Sequence, residues 1–497
     1  MFLSCEQSKI AYNFYCLPHI HIIQMSKEEE IFDLIRRYEQ ALAEDKRVYF
    51  DADEFSDLAA YYDSLGDLDS AKEVVKLALR IHPESDTLLI KKAKILAYED
   101  EYGEALRVLD SVSSGYDFDM YMVRLECMLQ LKRFEEADQL TNLILENEKG
   151  QEEPFILSEL GFLYSEADRF AEAIAYIEES LKLNPDNTDA LSDLGYSYEM
   201  IGDFAHAINV CNRILDIDSY NYDAWVNLGK LYSLSESYEK AIDAFDFALT
   251  ISDEDSNVLK LKAHCLSLSG RTLEAIVAFQ DLLKADPGDS SLYLLLCECY
   301  SGAELFNEAL KMLDSYKEAE GQTKEFFVKK AVVFYQMGKY SQALSLVDAA
   351  LAEYGNEVDL LILSGDIKYN ADDVEAAERD YRAAYTIEKD NVELLDKLAV
   401  TSIRSEDYDG AIEYTLAQLI LEPGRIELKQ RLALLYFETD DEKKFNETLS
   451  SLDDAELMNL FKLFYEPENS EYFDREKLLM ALNDARECRT LFKNIRY

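Results

Sequence analysis

Small residues recur along this chain at an interval of 34 residues, and the apolar residues between them follow helical spacing. One series consists of eight alanines, Ala173, Ala207, Ala241, Ala275, Ala309, Ala343, Ala377 and Ala411. A second series lies twelve residues earlier in the same phase and contains Gly161, Gly195, Gly229, Ala263, Cys297, Ala331, Gly365, Ala399 and Ala433. A fixed period of roughly 20–50 residues is typical of stacked supersecondary units, so the pattern predicts a solenoid.

One period, 222–255, shows what each unit contains. Trp225, Leu228, Gly229 and Tyr232 share one face of a first helix, because residues three and four apart lie on the same side. A polar break follows, and a second helix is predicted from a buried face formed by Tyr238, Ala241, Phe245 and Ala248. We expect Gly229 and Ala241 to lie at the closest approach of the two helices, since a larger side chain there would push the axes apart.

These residues resemble the tetratricopeptide repeat, a helix–turn–helix unit with the pattern W-x2-L-G-x2-Y followed by A-x3-F-x2-A. The resemblance extends from about residue 51 to residue 449. Pro83, Pro185, Pro287 and Pro423 stand at the closing position of their units, where a residue without an N–H stops the second helix. The fold that the resemblance implies is all-α, a right-handed α-α superhelical solenoid of about twelve tetratricopeptide-type helix pairs.

The phase of the small residues divides the chain. Before Ala173 the series continues through Ala137, Ala105 and Ala71 at intervals of 36, 32 and 34 residues, which predicts irregular loops near residues 111–115 and 146–154. The expected units begin near residues 52, 86, 119, 154, 188, 222, 256, 290, 324, 358, 392 and 426. We therefore predict units 1–3 over residues 51–153 and units 4–12 over residues 154–459, the last unit being degenerate because Phe445 replaces the small alanine.

Both ends of the chain fall outside the repeat. Residues 1–24 are predicted to be an unstructured or mis-assigned upstream extension, with Met25 as the alternative start, and residues 25–50 an N-terminal capping helix. Zinc binding by Cys5, Cys16, His19 and His21 is disfavoured by their spacing. Residues 460–497 are predicted to form a basic C-terminal capping helix, the alternative being an arm that lies on the acidic body.

The charge of the chain narrows the choice of partner. Its 497 residues include 100 acidic and 50 basic ones, and the formal net charge is −50. This charge argues against nucleic acid and anionic membranes, which are bound through Lys and Arg, and it favours basic protein partners. An excess of acid that simply keeps a long helical surface soluble is the alternative. Eight scattered cysteines without a C-x-x-C pair suit a reducing cytoplasm.

No catalytic or cofactor motif is found in the sequence. Phosphate-binding, dinucleotide-binding, nucleophile-elbow and zinc-protease signatures are all missing. Acidic clusters such as those at 253–255 and 440–442 do not have the spacing of a calcium loop. We therefore predict a protein that is not an enzyme and has no catalytic, cofactor-binding or metal-binding residues.

The family resemblance implies a binding surface. In tetratricopeptide arrays the first helices line a concave face, and here positions two, five, nine and twelve of each unit are expected to line it. The candidate groove residues are Asp189, Tyr196, Glu199, Asp223, Lys230, Lys260, Glu298, Glu325, Tyr335, Asp359, Asp366 and Tyr369. The chaperone-binding subclass grips a C-terminal carboxylate with lysines and asparagines at fixed positions. The closest match here offers Lys260 but lacks the asparagines, so chaperone binding of this kind is not expected.

Two functions remain open at this stage. The first is an intracellular, cytoplasmic scaffold or adaptor that binds a peptide or helix with basic residues in the concave face. The alternative is a permanent structural subunit of a multiprotein assembly, held by apolar surface. The sequence does not identify the partner, because a binding fold does not specify its ligand.

Overall fold

A computed structural model describes residues 21–44, 48–113, 115–150, 152–252, 255–464 and 474–487. Within these ranges every regular element is an α-helix, so the predicted all-α class is confirmed. The helices of the first half are α1 (His21–Ala43), α2 (Ala52–Ser64), α3 (Leu68–Ile81), α4 (Asp86–Tyr98), α5 (Tyr102–Leu109), α6 (Phe118–Gln130), α7 (Phe134–Asn147), α8 (Glu153–Glu166), α9 (Phe170–Leu183), α10 (Thr188–Met200), α11 (Phe204–Ile217), α12 (Tyr222–Leu234) and α13 (Tyr238–Ile251).

The second half continues the same alternation. Its helices are α14 (Ser256–Leu268), α15 (Thr272–Ala285), α16 (Ser291–Gly302), α17 (Phe306–Glu320), α18 (Lys324–Gln336), α19 (Tyr340–Tyr354), α20 (Val358–Asn370), α21 (Val374–Ile387), α22 (Val392–Arg404), α23 (Tyr408–Leu421), α24 (Ile426–Glu438), α25 (Glu442–Ser451), α26 (Asp454–Phe464) and α27 (Arg475–Glu487). The even-numbered helices from α2 to α24 are the first helices of twelve pairs, and each begins within one residue of an expected unit start.

Local sequence explains where the first helices begin. Eight of them have an Asp, Asn, Ser or Thr whose side chain accepts a hydrogen bond from a backbone N–H of the first turn, which satisfies a donor that the helix itself cannot pair. Asp51 does so with Glu54 in a reciprocal capping box. The other seven caps are Ser85, Asp117, Asn187, Asn221, Asp255, Thr323 and Asn391.

The turn inside every pair has one residue with left-handed backbone geometry. Glycine occupies that place in four pairs and a residue with a side chain in the other eight, for example Asp168 (φ 59°) and Asp372 (φ 69°). The next backbone N–H returns to the first helix, as from Ser237 to the Tyr232 carbonyl at 2.8 Å. This tight reversal places the second helix antiparallel against the first.

The second-series glycines make room for a side chain of the partner helix. A Cβ added to Gly229 would lie 2.5 Å from Cε1 of Phe245, and one added to Gly365 would overlap the ring of Tyr381. Gly195 has more space, because its nearest neighbour would be Cγ1 of Val210 at 3.5 Å. The side chain that faces Gly229 is thus Phe245, sixteen residues further along the chain, and the closest approach of the two helices at Gly229 and Ala241 stays a prediction.

The chain divides into two compact units, Met1–Glu254 and Asp255–Tyr497, hereafter unit A and unit B. In unit A, α1 contributes Leu34, Ile35 and Tyr38 to a core that it shares with α2, α3 and α4. In unit B the last core includes Phe445, which is fully buried together with Leu482 and Ala485 of α27. The division at residue 153 that the irregular loop suggests stays a prediction, as do the limits of the two caps.

The first described helix begins at His21, four residues before the expected start at Met25. The rest of the expected upstream extension, with Cys5, Cys16 and His19 of the disfavoured zinc site, lies outside the described residues. So do residues 488–497, which hold part of the expected basic C-terminal helix.

Candidate functional site

The twelve groove residues expected from the sequence all lie on first helices. Five belong to unit A and seven to unit B. Among those of unit A, Asp189, Tyr196, Asp223 and Lys230 are exposed and Glu199 is half-buried. In unit B, Glu298, Glu325 and Asp359 are exposed, whereas Lys260, Tyr335, Asp366 and Tyr369 are half-buried. Position five is less open than expected, since Val226 is buried.

Several of the candidate groove residues in unit B already form ion pairs with other residues of unit B. Lys260 forms an ion pair with Asp289, and Glu298 forms one with Lys329 of the next first helix. A surface pair of this kind contributes little to stability, yet it occupies charges that a partner would otherwise meet. The unit-B face therefore offers less free charge than its sequence suggests.

Asp366 has the most complete set of partners. Its carboxylate accepts hydrogen bonds from Lys397 Nζ at 2.8 and 3.0 Å and from the Tyr381 hydroxyl at 2.6 Å. Burial, and then the hydrogen bond to Asp366, raise the pKa of Tyr381, so this hydroxyl remains a donor at any physiological pH. Asp366, Lys397 and Tyr381, hereafter the Asp366 network, join α20, α21 and α22.

Two tyrosines near this network are also engaged. The Tyr335 hydroxyl accepts a hydrogen bond from the Asn370 amide at 2.8 Å. The guanidinium of Arg404 lies 4.7 Å from the centre of the Tyr369 ring, while it also pairs with Asp372. These contacts hold α18, α20 and α22 in register.

In unit A, unlike Asp366 with its bonded lysine and tyrosine, Asp193 of α10 is surrounded by other acids. This side chain is half-buried, and burial raises its pKa to about 7, with Asp189, Glu159 and Glu166 adding to the rise. The four residues, hereafter the Asp193 cluster, belong to the first helices α8 and α10. Negative charge has been concentrated here at a cost in free energy, because a carboxylate that leaves water among like charges is destabilised.

A positive charge lies one helix further along the same face. Burial raises the pKa of Glu199, and the charge of Lys230 on α12 opposes that rise. The positive charge of Lys230 therefore makes this face less acidic at α12 than at the Asp193 cluster of α8 and α10.

Sequence reasoning missed position six of the 34-residue repeat. Asp193, Lys329 and Lys397 all stand there, and none is among the expected groove residues. On a helix, position six lies four residues after position two and three before position nine, so it shares their face. The signal was available: Glu298 and Asp366, both at position nine, precede their lysines by the same 31 residues.

Other chemistry finds little support in the described residues. None of their His, Cys, Asp and Glu side chains form a group of three or more that is able to hold a metal ion. The five cysteines that are described are buried and form no disulfide, and burial raises the thiol pKa of Cys127 to about 12 and that of Cys211 and Cys297 to about 11. Such thiols are poor nucleophiles at neutral pH.

Of the helices described, none combines the length and the apolar character needed to cross a membrane. An open depression of about 350 Å³ lies between α1 and α3 and is lined by Tyr38, Leu42, Glu73, Lys76, Leu77 and Arg80. Its Glu73 and Lys76 are paired with each other at 2.8 Å, so they do not form a catalytic set.

Family comparison agrees with the repeat that the structure shows. Profiles described as tetratricopeptide repeat match residues 159–222, 222–255, 266–327 and 328–392. No curated protein matches the chain.

Several solved structures are similar to the chain. A tetratricopeptide repeat protein from Parabacteroides merdae is 18% identical, with a TM-score of 0.44, over 51% of this chain and 99% of its own. Yeast Tom70 is also 18% identical, with a TM-score of 0.41, over 94% of both chains. A chain of the APC/C hetero-tetramer Cut9-Hcn1 is 15% identical, with a TM-score of 0.35, over 93% of this chain and 94% of its own. From its repeat pattern, its helix pairs and the matching profiles, this chain belongs to the tetratricopeptide repeat proteins.

Proposed function

We propose that this chain is a cytoplasmic scaffold or adaptor that binds a basic segment of a partner protein on the first-helix face of unit A. Tetratricopeptide repeats generally mediate protein–protein interactions. The observation that carries the finer proposal is the half-buried carboxylate of Asp193, whose pKa is raised first by burial and then by its acidic neighbours Asp189, Glu159 and Glu166. A Lys or Arg of a partner would lower the cost of holding these charges together.

The Asp193 cluster suits this role better than the Asp366 network. Asp366 is bonded to Lys397 and Tyr381, so a partner cation would have to compete with them. At the Asp193 cluster an arriving cation adds a favourable interaction. The proposed site is therefore centred on α8 and α10 and does not extend over the whole series of first helices. Neither catalysis nor chaperone-type carboxylate binding is part of the proposal.

The test is partner capture by the full chain from a soluble extract of the source organism, at low and at high salt, with mass spectrometry. A triple variant, Glu159→Gln, Asp189→Asn and Asp193→Asn, neutralises the proposed site. A matched triple removes three exposed acids from second helices of the same unit, Glu135→Gln, Asp216→Asn and Asp243→Asn. A basic partner that is lost at high salt and lost in the first triple, but retained by the second, supports the site. Equal retention by both triples contradicts it.

The second candidate, a permanent subunit of an assembly, is favoured by one surface of unit A. The Trp225 and Phe247 rings are stacked with their centres 4.5 Å apart, and Phe247 remains 53% exposed. Tyr220 nearby in sequence is 78% exposed. Aromatic residues are enriched at the centres of protein interfaces. A partner that stays bound at high salt and is released by Phe247→Ser with Tyr220→Ser would favour this candidate.

A further inference from the structure

Lys91 of α4 is a half-buried lysine in a chain with an excess of acid. It stands at position six of its repeat, on the same face as Asp57 of α2 and Asp193 of α10. Within the described part of the chain, no ion pair or hydrogen bond joins its ammonium group to another residue. Its neighbour Lys94 forms an ion pair with the carboxylate of Asp63 at 3.3 Å.

The environment of Lys91 disfavours its charge. Burial and then Lys94 lower the pKa of Lys91, and the more distant carboxylates of Asp63, Asp119 and Asp57 offset this only in part. An ammonium that is partly removed from water and has no partner at contact distance is destabilised. A carboxylate from outside the chain would remove that cost.

Lys91 and the Asp193 cluster lie on one run of neighbouring first helices within unit A. Helix α4 contacts α6, α6 contacts α8, and α8 contacts α10. Packed helix axes are roughly 8–10 Å apart, so three steps place the two features roughly 25–30 Å apart. An extended segment covers that distance with about eight residues at roughly 3.3 Å each.

We propose that Lys91 pairs with an Asp or Glu of the partner, about eight residues along an extended segment from the Lys or Arg residues that meet the Asp193 cluster. The inference rests on the proposed function and defines its partner class. The partner segment has charges of both signs in a fixed register, and basic residues alone are not sufficient for full affinity. Lys91 thus selects among basic segments, since one that lacks the acid leaves the ammonium without a partner.

The test uses synthetic 16-residue peptides that are labelled for fluorescence anisotropy and otherwise consist of Ser, Ala and Gly. All contain an Arg-Lys-Arg block. In one pair a Glu stands eight positions before or after the block, and in a second pair Gln replaces that Glu. The binding partners are the full chain, Lys91→Met and, as a control for charge, Lys76→Met, which removes an exposed lysine of α3.

We expect Glu in one of the two orientations to tighten binding to the unaltered chain by about three- to tenfold over Gln, as for a partly desolvated ion pair. The gain should vanish in Lys91→Met and persist in Lys76→Met. Lys91→Glu should reverse the preference, so that a peptide with Lys in place of that Glu binds better than the Glu peptide. Circular dichroism verifies the fold of each variant, and Lys91→Arg should keep the gain.

Two negative results have different meanings. If the Gln peptides bind, Asp193→Asn weakens that binding and Glu brings no gain in either orientation, the role of Lys91 is overturned and the proposed function stands. If none of the peptides binds the unaltered chain, both proposals fail.

Discussion

Asp193 and Asp366 occupy similar faces of similar helices but have opposite surroundings. Asp366 of α20 is saturated by Lys397 and Tyr381, whereas the residues that act on Asp193 of α10 add to the cost of its charge. The repeat fixes where such a side chain lies, and its neighbours in adjacent units decide whether it stabilises the fold or is available to a partner. Acid on a tetratricopeptide face is therefore not by itself a sign of a binding site.

The difference concerns positions six and nine of neighbouring repeats. Asp366 is followed 31 residues later by Lys397, and Glu298 by Lys329, so a base at position six neutralises an acid at position nine. In unit A the residue at position six of α10 is itself the acid Asp193, and position six of α8 is Glu159. Position nine of α8 is the uncharged Phe162, so Asp193 has no partner in this register and adds to the charge of Asp189, Glu159 and Glu166.

The largest effect that would test this contrast is expected from Asp366→Ala. It leaves the hydroxyl of Tyr381 without its acceptor and the half-buried ammonium of Lys397 with Glu393 as its remaining partner, and should lower the free energy of unfolding by about 2–3 kcal/mol. Chemical denaturation of the full chain measures the change. Asp359→Ala, which removes an exposed acid from the same helix, is the control and should change stability by less than about 0.5 kcal/mol. Similar losses of unfolding free energy in Asp366→Ala and Asp359→Ala would show that the Asp366 network does not stabilise the fold.

The glycines at position eight of α20 and α10 give the next contrast. Gly365→Ala forces a methyl group into the ring of Tyr381, which also carries the hydroxyl bonded to Asp366, and should cost about 2 kcal/mol through overpacking. Gly195→Ala meets only Val210 Cγ1 at an ordinary 3.5 Å and should gain about 0.5–1 kcal/mol from the better helix propensity of alanine.

Thermal and denaturant unfolding of Gly365→Ala and Gly195→Ala measure the two changes in stability. If both changes are neutral, the packing of the glycine against the facing ring is wrong. If both destabilise by the same amount, the space beside Gly195 is smaller than described.

The two glycines also show what sequence can provide. The period of 34 residues predicts the helix pairs and the starts of all twelve first helices, because hydrophobic spacing and small residues are local signals. Which side chain lies against the glycine depends on the repeat: Phe245, sixteen positions later, faces Gly229, and Val210, fifteen positions later, is nearest to Gly195. That dependence becomes apparent only once the two helices are paired in space.

The candidate site was less predictable than the fold. Asp359, Glu325 and Asp366 are all acids at expected groove positions, and the 31-residue spacing signals the pairing of Asp366 with Lys397 that the structure shows. The pKa of Asp193 depends on burial and on residues of another helix, neither of which is a property of its own segment. Charge on a repeat surface therefore has to be judged from neighbouring units together.

Asp193→Asn should stabilise the chain, in contrast to the loss expected at Asp366. The folded state holds the Asp193 proton more tightly than the unfolded state, so the carboxylate costs stability once it is charged. That cost is absent below the unfolded pKa of about 4, grows as the pH rises and is complete above about pH 7. We expect a gain of about 1 kcal/mol at pH 8 and none at pH 4, measured by denaturation at both pH values.

The opposite pH dependence would contradict this picture. Glu325→Gln, on the exposed face of α18 in unit B, serves as the control, because burial is only a minor influence there and its backbone and Thr323 lower the pKa of this carboxyl. Its removal should bring no gain that grows between pH 4 and pH 8. A gain from Asp193→Asn that is the same at both pH values would mean that charge is not its origin.

The smallest expected difference concerns the turns that follow α8 and α20. Asp168 and Asp372 both have left-handed backbone geometry, which a residue with a Cβ adopts at a cost and glycine adopts freely. Asp168→Gly should therefore gain about 0.5 kcal/mol. Asp372→Gly should gain less, because it also removes the carboxylate that pairs with Arg404. Denaturant midpoints of the two variants are measured at low salt and at 1 M salt. The two gains in stability should become similar at high salt, because salt screens the ion pair between Arg404 and Asp372. A difference that persists at high salt would mean that it comes from the backbone of the two turns.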